Sequence, residues 1–272
     1  MLFSRADATP ATDVPHARQI MPFIMRTRTE STVYFEQHID LTRTQPFIDG
    51  WNAAHPDQKI SVFHVFLWAA VEALNERPRL NRFVMGSRLW QRTGIPLSFS
   101  AKKRLDDHAP IVVIKREFEP GQTFEQLVDF VYADVREGRS DKKSHVDKEL
   151  NLFLSLPAPL LRLGVRVLRW LDDVNLLPHS FIAPDPMYCS MFVANLGSVK
   201  LDSAFHHLYE WGNCPFFAAI GQTQTVLTPE GPRLMCSIKY SFDERVEDGL
   251  YCAKALELLR KRLEDPLQRS QS

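Results

Sequence analysis

The segment Ser241-Phe242-Asp243-Glu244-Arg245-Val246-Glu247-Asp248-Gly249 crowds ionisable side chains between an apolar strand pattern and the start of a helical one. Gly249 permits a sharp bend there, and charged groups at the end of a buried strand stand on a rigid support. This is a setting for acid–base chemistry, and it is equally what a turn capping the last helix requires. A second group is Phe205-His206-His207-Leu208-Tyr209-Glu210-Trp211-Gly212. Either His206 or His207 could serve as a general base, with Tyr209 beside it and Glu210 as the orienting carboxylate. The plain alternative is a surface loop or an oligomer interface.

The remaining histidines ask for less. His64 falls inside a buried helical pattern and reads as a satisfied core residue, while His38 sits on a strand face. His16, His55, His108, His145 and His179 fall in loop patterns. No H-x-x-x-H or H-E-x-x-H spacing occurs and no glycine-rich phosphate loop, so neither a metal site nor nucleotide hydrolysis is expected. Cys189, Cys214, Cys236 and Cys252 are widely spaced, without a C-x-x-C pair. They are expected to be reduced, buried thiols in a cytoplasmic protein.

The elements that would position these groups follow from periodicity. Residues 32–40 alternate as a strand, and Ser61 opens a helix that is apolar on nearly every side until Asn75, with Pro78 as its stop. Met85-Gly86-Ser87 reads as a hairpin turn, and strands follow over 95–101 and 111–118. Thr123 caps an amphipathic helix through Val135. From about 139 to 186 a Lys-rich stretch leads into a helical insertion, expected to pack as a helical hairpin. In it Arg162, Arg166 and Arg169 share one helix face. The alternative for this insertion is peripheral contact with a membrane surface, or the shaping of an acyl tunnel. Its apolar run falls short of the about 20 residues of a membrane span. Strands over 187–195, 216–222 and 234–242 and a helix from about Gly249 to Leu263 complete the pattern. Interleaving without strict βαβ alternation implies an α/β (α+β sandwich) fold, a mixed sheet with helices packed on it.

The chain has 272 residues, 44% apolar and 24% charged, with Lys+Arg and Asp+Glu balanced at 33 each. A neutral chain has no overall field to gather nucleic acid, so no nucleic-acid partner is expected. Residues 1–17 are polar and dotted with Pro and Ala, which suggests a flexible N-terminal arm rather than a secretion signal. A single domain over 18–266 and a short tail over 267–272 account for the rest.

Five segments in order carry a resemblance to a known family. Asp243-Glu244-Arg245…Asp248-Gly249 is similar to the D-H-R-x-x-D-G motif of dihydrolipoamide acyltransferase catalytic domains, and to H-H-x-x-x-D-G of chloramphenicol acetyltransferase. Residues 32–42, ending Ile39-Asp40-Leu41-Thr42, resemble the strand leading to I-D-[LIV]-T, and Arg77-Pro78-Arg79-Leu80-Asn81 resembles the helix end before the hairpin. Phe192-Val193-Ala194-Asn195-Leu196-Gly197 looks like the S/T-N-[IL]-G strand end, and Phe217-Ala218-Ala219-Ile220-Gly221 like the strand after it.

The resemblance implies a chloramphenicol acetyltransferase-like fold and transfer of an acyl group from a thioester, acyl-CoA as co-substrate, to a small-molecule acceptor, without a metal. It also implies a homotrimer whose active sites lie between subunits. In that family the motif histidine is the base, a Ser or Thr hydroxyl holds the oxyanion, and the motif aspartate pairs with an arginine near the N-terminus. Here Glu244 stands in the histidine's place and Ala194 in the hydroxyl's. Asp248 and Gly249 remain, with Arg18 as the expected partner of Asp248. Ser190, two strand repeats before Ala194, is a displaced candidate for the oxyanion donor, with Asn195 and Tyr209 as pocket residues. The resemblance places the His206–His207 loop along the acceptor pocket, as a relocated base with Glu244 as a secondary group. A catalytically inactive relative that binds acyl-CoA, lipid or a protein partner is the alternative.

Overall fold

The computed structural model describes residues 5–102, 111–139 and 156–267. In chain order its elements are β1 (Ala8–Pro10), α1 (His16–Gln19), α2 (Met21–Ile24), β2 (Thr32–Asp40), α3 (Thr44–Ala54), α4 (Val62–Glu76), β3 (Arg82–Met85), β4 (Arg88–Arg92), β5 (Ile95–Lys102) and β6 (Ile111–Phe118). There follow α5 (Phe124–Arg139), α6 (Ala158–Asp173), α7 (His179–Ile182), β7 (Met191–Asn195), β8 (Phe216–Thr228), β9 (Gly231–Asp243) and α8 (Gly249–Glu264).

Six strands form the main sheet in the order β2-β9-β8-β7-β5-β6. β7 runs parallel to both β5 and β8, and the other neighbours are antiparallel, so the sheet is mixed as expected. Strand periodicity decides its two faces. Along β9, Cys236, Ile238, Tyr240 and Phe242 are buried on one side against α4 and α8, with the Tyr240 ring 6.5 Å from that of Phe66. Val65, Phe66 and Leu67 of α4 are fully enclosed, which explains why the helix reads as apolar all round. Burying each such side chain contributes about 1.5–3 kcal/mol. The residues alternating with them on β7 and β8, Phe192, Phe217 and Ala219, form a second, smaller cluster on the opposite face with Leu208.

The hairpin of β3 and β4 forms where expected, and its turn residues Gly86 and Ser87 both have positive φ, 56° and 57°. Two such residues define the turn whose twist matches a hairpin. The N-terminal segment differs from the sequence expectation of a loose arm. β1 pairs antiparallel with β4 to make a separate three-stranded sheet. Arg5, whose side chain is 1% exposed, is held by Asp7 at 2.9 Å and Asp172 at 2.7 Å and lies near the rings of Phe83 and Trp90. Composition hid this because the anchoring is polar: a buried ion-pair cluster with no apolar run to announce it.

The insertion also differs in part. Its Lys-rich start and the first arm of the expected hairpin lie outside the described residues, as do His108, His145 and the tail beyond 267. α6 is barely packed: Leu168 and Leu171 touch a small cluster with Leu177, Ile182 and Tyr188. Leu160, Leu163, Val167 and Trp170 are exposed, as are Arg162, Arg166 and Arg169, while Leu161 and Val165 are half-buried. No helix among the described residues is long and apolar enough to cross a membrane.

Candidate functional site

β9 delivers the acidic turn to the edge of the core, and the turn is firmly fastened. Asp243 is fully buried and binds the Arg245 guanidinium through both oxygens, at 2.8 and 2.6 Å, while Ser31 Oγ donates to it at 3.0 Å. Glu244 is exposed, but its backbone is tied: its N–H donates to the Ser31 carbonyl at 3.0 Å, and its carbonyl accepts from Arg18. Arg18 braces the turn through the Glu244 backbone, and its charge also lowers the Asp248 carboxyl, although no ion pair between the two is formed among the described interactions. Asp248 instead caps α8, accepting from the Tyr251 N–H at 2.9 Å, and Gly249 is the first residue of that helix. Its carboxyl is held below the usual carboxylate range, first of all by that backbone hydrogen bond.

The histidine loop lies across the outer face of the sheet. Ser241 Oγ donates to the His206 carbonyl, and the Phe205 ring meets Tyr34 of β2 at 5.4 Å. The His206 imidazole stacks on Phe217 of β8, centroids 4.0 Å apart, with His207 at 4.5 Å and Tyr209 at 5.4 Å. His206 Nδ1 lies 2.7 Å from the His207 carbonyl oxygen. A carbonyl can only accept, so Nδ1 carries the proton and the neutral ring keeps its lone pair on Nε2. Partial burial, with His207 adding to it, holds the imidazole of His206 below its ordinary value against the hydrogen bond to the His207 backbone. That is the tautomer and charge state of a general base.

The structure brings His206, His207 and Tyr209 together but separates them from two expected helpers. Glu210 turns away: one of its oxygens accepts from both the N–H and Oγ of Thr29, at 2.9 and 2.8 Å, so it does not orient the histidines. Among the described interactions none joins Glu244 to either histidine. Ser190 lies just before β7, wholly buried, with Oγ lacking a protein partner, so a ligand has no direct access to it. Ala194, by contrast, packs at the rim of the outer cluster with Phe192 and Tyr209.

The C-terminal ends of the parallel strands β5 and β7 open onto a cavity of about 500 Å³ whose wall includes Phe63, His64, Phe99, Tyr132, Ala194 and Asn195. The sequence pattern places His64 in the core. It lines this cavity, accepts the Ser61 N–H through Nδ1 at 3.2 Å, and burial pushes its imidazole down to about 4. The signal was present: Ser61 and His64 stand at the two ends of a capping-box spacing. Asn195 Oδ1 accepts the Ser198 N–H at 3.2 Å and so shapes the turn after β7. A Cβ on Gly197 would come within 2.6 Å of the Gly221 carbonyl, which explains a glycine in that turn.

No family model matches the chain, and no curated protein matches it closely enough to count. Solved structures do match over nearly its whole length. A dihydrolipoamide acetyltransferase from Azotobacter vinelandii superposes with a TM-score of 0.62 at 16% identity, over 95% of this chain and 93% of the other. A probable dihydrolipoamide acetyltransferase from Listeria monocytogenes 4b F2365 gives 0.59 at 14% identity, over 95% and 96%. A chloramphenicol acetyltransferase gives 0.57 at 12%, over 96% and 100%. The chain therefore has the fold of chloramphenicol acetyltransferase and of dihydrolipoamide acetyltransferase catalytic domains, as the five sequence segments implied.

Proposed function

We propose that the chain is an acyltransferase that moves an acyl group from a thioester, acyl-CoA being the expected donor, to a small acceptor, with His206 as general base. The carrying observation is the His206 imidazole, neutral and with its Nδ1 proton committed to a carbonyl, on a scaffold shared with acetyltransferases. His206 Nε2 would take the acceptor's proton as its heteroatom attacks the thioester carbonyl. Collapse of the tetrahedral intermediate would expel the CoA thiolate, which takes that proton back. The cavity at the end of β5 and β7, with apolar walls and a few polar groups, suits an acyl–pantetheine arm. Lys102 and Arg139 on the same wall offer positive charge to the phosphates of CoA. A homotrimer is the assembly that goes with this reading.

A second reading has an observation of its own. Ala194 and Glu244 stand where a hydroxyl and a histidine are expected, which favours a protein that binds an acyl thioester without turning it over. Titrating acetyl- and longer acyl-CoA calorimetrically, then following thiol release with a panel of acceptors, separates the two. Acceptor-dependent release that falls about 10²–10⁴-fold in His206→Ala supports catalysis by this residue. The rate should rise with pH through a midpoint below the ordinary imidazole value of 6.5. Binding without release supports the second reading, and unchanged turnover in His206→Ala removes His206 from the mechanism.

A further inference from the structure

A second cavity, of about 520 Å³, opens between the N-terminal segment around Arg28, the β3–β4 turn and the C-terminal end of α6. Arg26, Arg28, Arg169 and Arg245 line it, with Trp211 and Asp173. Its volume is within the range of small-molecule sites, about 300–1,000 Å³.

The charges in its wall are unevenly satisfied. Each carboxylate already has partners. Asp172 is paired with Arg5 at 2.7 Å and accepts the Tyr188 hydroxyl at 2.8 Å. Glu210 is occupied by Thr29, and Asp173 accepts the Gly86 N–H at 3.3 Å. Burial, moreover, raises the Asp173 carboxyl above its ordinary value.

Arg28 stands out on the guanidinium side because one of its buried donors has no acceptor. Arg245 has Asp243, but Arg28, only 5% exposed, donates to two neutral carbonyls, those of Tyr209 at 3.0 Å and Val84 at 3.5 Å. Its Nε is buried without a protein acceptor, and no carboxylate among the described residues forms an ion pair with it. Asp243 and Glu210 favour its charge from nearby without pairing with it, and a bound anion would add the acceptor that its Nε lacks.

From this geometry we infer that the cavity binds a small anion, the carboxylate or phosphate group of a ligand, with Arg28 as its buried anchor and Arg26 and Arg169 closing on it from the surface. This site goes beyond acyl transfer and does not depend on it. It is nevertheless linked to the histidine loop, because Arg28 donates to the Tyr209 carbonyl three residues after His206.

The full chain should be titrated calorimetrically with inorganic phosphate and separately with succinate, at constant ionic strength and with chloride as the control. Saturable binding in the millimolar range or tighter is expected for at least one of the two. Which one binds identifies the group. Arg26→Gln and Arg169→Gln alter exposed positions and leave the fold intact, and each should weaken binding about tenfold. The double variant should weaken it further. No saturable response to either anion, an equal response to chloride, or unchanged affinity in the Arg26→Gln/Arg169→Gln double variant would overturn the site.

Discussion

His64 should make the protein acid-sensitive, and a single substitution should reveal how much. In the folded chain burial pushes its imidazole down to about 4, against an ordinary 6.5. Protonation at Nδ1 would also cost the Ser61 N–H its acceptor. The unfolded chain therefore takes up the proton first as pH falls. The stability at stake is intact above the ordinary value, is lost between about 6.5 and about 4, and levels off below. At 1.36 kcal/mol per pH unit the ceiling is about 3 kcal/mol, of which about 2 kcal/mol is lost between about pH 7.5 and about pH 5. His64→Gln is the informative change, because glutamine at the third helical position can still accept the Ser61 N–H while it cannot titrate. Urea unfolding at several pH values would be followed for both proteins. With an m-value of about 3 kcal/mol per molar, the wild-type midpoint should fall about 0.7 M further than that of the variant over this interval. Parallel decline in the two proteins would refute the reasoning, because every other titrating group is common to both.

Three further outcomes test other parts of the structure. Arg5→Met should destabilise the chain by about 3 kcal/mol in the same unfolding assay, since it strips a buried partner from Asp7 and Asp172; a loss under about 1 kcal/mol would mean the N-terminal strand is not anchored there. Asp248→Ala should cost about 1 kcal/mol through the lost cap of α8, with little further effect on acyl-CoA binding; an unchanged melting temperature would remove the capping role. The triple change of Arg162, Arg166 and Arg169 to Glu should abolish sedimentation with anionic liposomes if α6 contacts membranes. Equal sedimentation of wild type and variant, or none by the wild type, would exclude the arginine face as a membrane contact.

Much of the fold was legible because its signals are apolar and local. The alternation of β9 and the all-round apolarity of α4 each state what the element must bury. The order of five short segments then distinguished one mixed-sheet topology from others with the same elements. What periodicity could not reveal were long-range polar contacts. Arg5 finds Asp172 across 167 positions in sequence, and nothing near either residue marks the pairing. The same holds for Arg18, whose partner proved to be a backbone carbonyl and hence a group every residue carries.

The candidate site shows the same division more sharply. That His206 and His207 stand together was plain from the sequence; that only His206 has its tautomer fixed depended on where the loop lies over Phe217 and which carbonyl its Nδ1 meets. Glu210 looked like the orienting carboxylate because it is close in sequence, yet Thr29 binds it, and three residues of separation in a loop fix no direction. Glu244 illustrates the converse. Ser31 and Arg18 hold its backbone, so the shape of this turn is set independently of its side chain. A turn braced through backbone atoms tolerates a change of side chain without losing its form. This is why the fold and the chemistry of this protein must be established by separate measurements, one of stability at Asp248 and Arg5 and one of turnover at His206.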